Sequence, residues 1–280
     1  MDAGPATDQG PIRLMLADVD GALVTQDKEL TPKAVAAARS LRAADVSFAI
    51  TSGRPPRGMK MLIHPLALDT AVAGFNGGVI VRPDLSVIET HKLDPNVARE
   101  SVELALEGGL DAWVYTPDEW YIRDKDAPHV AREAWTVKFE AKVVESFPDE
   151  VFANCVKVVG VSDDYDKVAK AEADARSRLG ARATAARSQP YYLDVTHPKA
   201  NKGEIVLTLC RLMGLSPKEV ATMGDMPNDV LMFEKSGLSI AMGNASDEVK
   251  AKASEVTASN EEDGFALAVE RFVLPRAPKA

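Results

Sequence analysis

The chain has 280 residues, 46% apolar and 27% charged, enough to bury one large core or two modest ones. Its net charge of −9 speaks against holding nucleic acid by its phosphates, which takes clustered Lys and Arg, yet allows one small phosphorylated ligand beside a cation. Cys155 and Cys210 lie far apart without metal-ligand spacing and imply no disulfide framework, as in a reducing compartment. Residues 1–11 lack the basic start and apolar stretch of a signal peptide, and no segment is apolar for long enough to span a bilayer. A soluble, cytoplasmic protein follows, with no membrane partner and with frayed ends at 1–11 and 275–280.

In chain order, Ile12 to Leu23 reads IRLMLADVDGAL, an aliphatic run that breaks into Asp-Val-Asp-Gly. That is how a buried parallel strand ends at a site, with Asp18 and Asp20 beyond it and Gly21 allowing the sharp turn. Thr31-Pro32 caps a helix to about Ala44. Val46 to Ile50 is the next strand, ending in Thr51-Ser52-Gly53-Arg54, which suits a phosphate oxygen held by hydroxyl and backbone N–H groups or merely serves a turn. Residues 70–73 give a third strand ending in Asn76-Gly77, and 79–81 with 87–88 continue as short antiparallel strands.

The texture then changes. Helices near 95–107, 129–137 and 165–179 alternate with strands near 112–115, 120–123, 156–161, 182–187 and 191–195. Every Trp and every Tyr falls in this stretch. After His197-Pro198 the aliphatic texture returns. A helix opens at Lys202-Gly203, a strand at 220–223 ends in Gly224-Asp225-Met226-Pro227-Asn228-Asp229, and a helix over 230–235 closes with Gly237 at its C′ position. Strands at 238–242 and 255–257 and a helix over 265–272 follow. The expected fold class is α/β, a doubly wound parallel sheet with an inserted α+β domain: residues 1–82 and 198–280 form the core and 83–197 the insert.

Four strand ends then carry polar chemistry: Asp18 and Asp20, Ser52, Asn76, and Asp225 with Asp229, with Lys202 beside them. Several carboxylates at one edge need compensation, and oxygen-only ligands without His or Cys point to Mg²⁺.

The set DVDGAL at 18–23, ITSGR at 50–54, Lys202-Gly203, and GDMPND at 224–229 followed by AMGNA at 241–245 resembles the haloacid dehalogenase-like (HAD) phosphohydrolases, specifically their Cof-type branch. The resemblance covers Ile12 to Phe272, the insert matching in placement and size only. It implies a Rossmannoid core and a cap, and a Mg²⁺-dependent phosphatase acting through an aspartyl-phosphate on a small phosphorylated metabolite, with a sugar phosphate as one candidate. Asp18 matches the nucleophile, Asp20 the general acid and base, and Ser52 the phosphoryl-binding hydroxyl, with Thr51 as fallback and Gly53 beside them. Lys202 matches the basic residue that neutralises charge on the nucleophile and the phosphoryl oxygens. Asp225 matches a metal ligand together with the Asp18 side chain and the Asp20 carbonyl, while Asn228 and Asp229 match positions that orient phosphate and support the metal shell. Ala22 departs from the usual Thr or Ser, so the turn loses a hydroxyl without losing a reacting group.

Hinges are expected near 81–83 and 196–200. Other residues take plainer roles: Arg54 as a loop tether, Asn244 as a turn residue, His197 as a surface or hinge residue, and Asp163-Asp164 as a helix cap. The alternatives are a phosphosugar mutase, which would accumulate isomer instead of free phosphate, and a non-catalytic binder of a phosphorylated ligand.

Overall fold

The computed structural model describes residues 10–279, so expectations for residues 1–9 and 280 lie outside the described residues. Fourteen strands among these residues form two sheets. The larger opens with β1 (Leu14–Asp18), α1 (Pro32–Ala43), β2 (Ser47–Thr51), α2 (Lys60–Ile63), β3 (Val72–Gly74), β4 (Val79–Val81) and β5 (Val87–Thr90). The intervening segment runs α3 (Pro95–Glu107), β6 (Asp111–Tyr115), β7 (Trp120–Ile122), α4 (Val130–Val137), β8 (Lys142–Val143), α5 (Asp149–Ala153), β9 (Lys157–Val161), α6 (Tyr165–Leu179), β10 (Thr184–Gln189) and β11 (Tyr192–Thr196). The chain then returns through α7 (Lys202–Met213), β12 (Val220–Gly224), α8 (Val230–Phe233), β13 (Leu238–Ala241), α9 (Asp247–Lys250), β14 (Glu255–Val256) and α10 (Gly264–Ala268).

The larger sheet has the order β14-β13-β12-β1-β2-β3-β4-β5, parallel from β14 through β3 and antiparallel for β4 and β5. All five β1 residues are buried because helices cover both faces. Leu14 and Leu16 pack with Ile205, Val206 and Leu209 of α7, whereas Met15 and Ala17 join Ala34, Ala38 and Leu41 of α1. This alternation is the period of a strand read on two layers. Thr31 caps α1, its Oγ1 accepting from the Ala34 N–H at 3.1 Å, with Pro32 at the first helical position. Because β1 lies between β2 and β12, reached through helices on opposite faces, its carboxyl end is a topological switch point.

The smaller sheet has the order β10-β11-β9-β6-β7-β8, with α3 and α6 covering one face. The expected boundary at residue 82 and hinge at 81–83 are corrected. The β4–β5 hairpin stays with the larger sheet, so the chain crosses between sheets at 91–94 and 197–201. At these crossings His91 and His197 stack, their ring centroids 5.5 Å apart.

Three details differ from the sequence reading. Helix α8 stops at Phe233, and Gly237 is not its C′ residue; its N–H donates to the Pro217 and Val220 carbonyls, where a Cβ would strike the Lys218 backbone. The C-terminal tail is pinned, the Arg276 carbonyl accepting from the Ile12 N–H at 2.7 Å. Strand β8 and helix α5 are too short to announce themselves in a hydrophobic pattern. No helix among the described residues is long and apolar enough to cross a membrane.

Candidate active site

Asp18 ends β1, buried, and Lys202, the first residue of α7, reaches across to it. The Lys202 Nζ donates to Asp18 Oδ1 at 2.7 Å and to Asp229 Oδ1 at 2.5 Å. Burial opposes the charge on Lys202, but the two carboxylates outweigh it and raise its pKa above the ordinary lysine value. Burial also pushes Asp18 well above the usual carboxylate range, with Asp229 and Asp20 adding to the effect and Lys202 opposing it.

Asp229 is a brace. Its Oδ2 accepts the N–H groups of Asp225 and Met226, each at 2.9 Å, while Oδ1 takes Lys202. Gly224 allows this, since a Cβ there would collide with the Asp229 carboxylate. Burial and the neighbouring Asp229 charge push Asp225 up to about 6 despite Lys202. Its Oδ1 is buried without a hydrogen-bond partner among the described residues. Carboxylate oxygens of Asp18, Asp225 and Asp229 lie within 4.8 Å of one another. An orphaned oxygen, a raised carboxyl and an all-oxygen donor set fit a hard divalent cation, which would restore the ionised form of each.

The Asp20 carboxylate finds its hydrogen-bond partners outside this cluster. Arg54 grips it with a fork, Nε to Oδ2 at 2.8 Å and Nη2 to Oδ1 at 2.5 Å, and Lys28 Nζ adds a bond to Oδ1 at 2.7 Å. Burial raises its pKa but Arg54 and Lys28 win, bringing it to about 2. Ser52 Oγ donates to Asp20 Oδ2 at 3.2 Å and accepts the Arg54 N–H at 3.1 Å, while Thr51 Oγ1 is buried without a partner among the described residues. Asn228 and Gly53 are exposed around Asn76, whose Oδ1 accepts from Asn228 Nδ2 at 3.4 Å.

The switch-point edge therefore gathers Asp18, Asp20, Thr51, Ser52, Lys202, Asp225 and Asp229. Two residues have larger parts than sequence reasoning assigns. Arg54 orders Asp20 and donates through Nη1 to the Thr136 carbonyl of α4 at 3.3 Å, joining the two sheets. Asn244 Nδ2 bridges the Gly21 carbonyl at 2.9 Å and Asp225 Oδ2 at 3.1 Å. Gly21, at φ +81°, leaves no room for a Cβ beside Asp225. Ala22 is buried, and its turn is closed by the Val19 carbonyl accepting from Leu23 and Val24.

The model of the haloacid dehalogenase-like hydrolase family matches residues 15–269. The chain belongs to this family. A Haemophilus influenzae relative is 29% identical over 259 residues, 92% of this chain and 97% of its own. The 5-amino-6-(5-phospho-D-ribitylamino)uracil phosphatase YwtE of Bacillus subtilis is 24% identical over 285 residues, 94% of this chain and 98% of its own. A haloacid dehalogenase-like hydrolase structure from Bacteroides thetaiotaomicron superposes with a TM-score of 0.86 at 27% identity, over 93% of this chain and 99% of the other. The chain is thus a phosphatase-type hydrolase of this family, with the expected α/β core and inserted α+β segment.

Proposed function

We propose that the protein is a Mg²⁺-dependent phosphatase that hydrolyses a small phosphorylated metabolite in a reducing cytoplasm. The observation that carries this reading is Lys202 held between Asp18 and Asp229, with the buried Asp225 Oδ1 unpaired among the described residues. Asp18, Asp225 and the Asp20 carbonyl would hold the ion, with Asp229 bracing them. When bound, Mg²⁺ supplies charge compensation and orientation for the phosphoryl oxygens.

With Asp18 Oδ1 occupied by Lys202, the other oxygen attacks phosphorus. The bond to the leaving alkoxide breaks, Asp20 gives that oxygen its proton, and an aspartyl-phosphate remains on Asp18. Asp20 then takes a proton from water, whose oxygen attacks phosphorus and frees Asp18 and inorganic phosphate. Lys202, Ser52 and Thr51 meet the charge on the phosphoryl oxygens. The first step needs Asp20 protonated, so an arriving phosphoryl dianion has to draw Arg54 and Lys28 off its carboxylate. In this reading residues 91–201 form a cap that moves over the edge on the crossings at 91–94 and 197–201 and excludes bulk water.

The test is phosphate release from a panel of phosphorylated metabolites, with and without Mg²⁺, beside Asp18→Asn. Metal-dependent release abolished by the substitution supports the reading. Isomerised product without free phosphate would mark a mutase instead, and tight binding without turnover a phospholigand-binding protein.

A further inference from the structure

The segment after β14 has no part in the mechanism above, yet it closes around the loop that follows Asp20. Ser259 and Glu262 form a capping box, and Glu261 Oε1 accepts the Gln26 N–H at 2.7 Å. Asp263 accepts from Thr31 Oγ1 at 2.8 Å and pairs with Lys33 Nζ at 2.9 Å. Between them Asn260 is buried, at 7% exposure, and its Nδ2 donates to the Val24 carbonyl at 3.0 Å. Val24 in turn forms an isolated bridge to Asp20, so the C-terminal segment is fastened to the turn on which Asp20 sits.

The Asn260 backbone N–H reaches a second loop, donating to Asn244 Oδ1 at 3.1 Å. Asn244 is exposed, and its Nδ2 serves the Gly21 carbonyl and Asp225 Oδ2. Both partners are acceptors, so the amide works in one orientation only. Turned over, it would set its own oxygen against a carbonyl and a carboxylate. The Asn260 N–H, a donor held in place by the buried side chain of its own residue, is satisfied by the productive orientation alone. With Asp225 Oδ2 taken by Asn244, the buried oxygen left without a partner among the described residues is Oδ1, the one a cation would meet.

We infer that Asn260 is a positioning residue for the metal site: it fixes the Asn244 amide against Asp225 and the Gly21 carbonyl, and so aims Asp225 Oδ1 at the ion. This rests on the Mg²⁺-dependent reading above. The test is calorimetric titration of Mg²⁺ into the full chain without substrate. Asn260→Ala weakens binding about tenfold, as loss of a partner behind a metal ligand does. Thr257→Val removes the Thr257 Oγ1 hydrogen bond to the Gly264 carbonyl, loosening the same segment without touching Asn244, and leaves the affinity within about twofold of wild type. Because Asn260 acts through Asn244, adding Asn260→Ala to Asn244→Ala costs no more than about twofold further.

Unchanged affinity in Asn260→Ala, an equal loss in Thr257→Val, or losses that multiply in the double variant would each overturn the inference and leave the metal site standing. No Mg²⁺ binding by the wild-type chain at millimolar concentration would also overturn it, whereas metal-independent phosphate release would sink the Mg²⁺ reading beneath it. If the variants do not fold, hydrogen exchange of the wild-type chain decides. Mg²⁺ slows exchange across 257–263, where no proposed ligand lies, and unchanged exchange there would overturn the coupling.

Discussion

Replacing Lys202 by Met isolates the energetics of the active-site charge cluster. The side chain is 2% exposed and its ammonium is shared by two carboxylates that are 6% and 0% exposed. Removing it strands both in the interior, where breaking a buried pair costs about 3–5 kcal/mol. For a chain of this length each kcal/mol moves Tm by about 2 °C, so a fall of about 6–10 °C is expected. Melts followed by circular dichroism in EDTA measure this without a divalent cation replacing the ammonium. Adding Asp229→Asn removes one of the stranded charges, so the double variant should lose less than the sum of the singles, by about 1–3 kcal/mol in urea unfolding. A Lys202→Met Tm within about 2 °C of wild type, or strict additivity in the double variant, would refute the view that this cluster is charged and coupled.

Other perturbations test neighbouring parts. Asn244→Ala removes the bridge between the Gly21 carbonyl and Asp225, and should raise the Mg²⁺ concentration for half-maximal phosphate release by roughly 10- to 100-fold. An unchanged metal titration would reduce Asn244 to a turn residue. Arg54→Lys keeps a positive charge but loses the fork on Asp20 and the reach to Thr136, so kcat should fall about tenfold or more, and near-wild-type kcat would exclude a role for the fork. His197 is held below the usual imidazole value by burial, with His91 and Lys199 adding to it. The unfolded chain therefore takes up the proton first, and stability declines as pH falls below about 6.5 until the folded imidazole also charges. His197→Gln should flatten that acid limb in urea midpoints against pH, and superimposable curves would show that His197 does not cause it.

The strand ends were legible because chemistry and burial conflict there. Aliphatic runs at 12–17, 46–50 and 220–223 stop at Asp18, Thr51 and Gly224, and side chains in a buried strand announce where it reaches the edge. Lys202 could be placed near that edge as the start of a helix, but its role came only through the family pattern, since a Lys at a helix start is ordinary on its own. Arg54 and Asn244 look like turn residues because their partners, Asp20 and Asp225, are 34 and 19 positions away and meet them only once strand register is set. Strand β5 was assigned to the wrong side of a boundary because a four-residue edge strand carries too little pattern to choose its sheet.

If residues 91–201 move as proposed, the apolar cluster that unites the two sheets would govern traffic through the enzyme. Met59 and Phe75 of the larger sheet's loops share one continuous core with Tyr115, Trp120, Val130 and Val137. Swinging the sheets apart would wet that surface, at about 25 cal/mol for each Å² exposed. The parted form would then be a scarce species, and the arrival of substrate and the escape of alcohol would share one narrow opening in time. A substrate that bridges the two sheets contributes to the seam that the open form lacks, so it drives its own enclosure. Slow turnover in such an enzyme would report on the seam before it reported on the bond being broken.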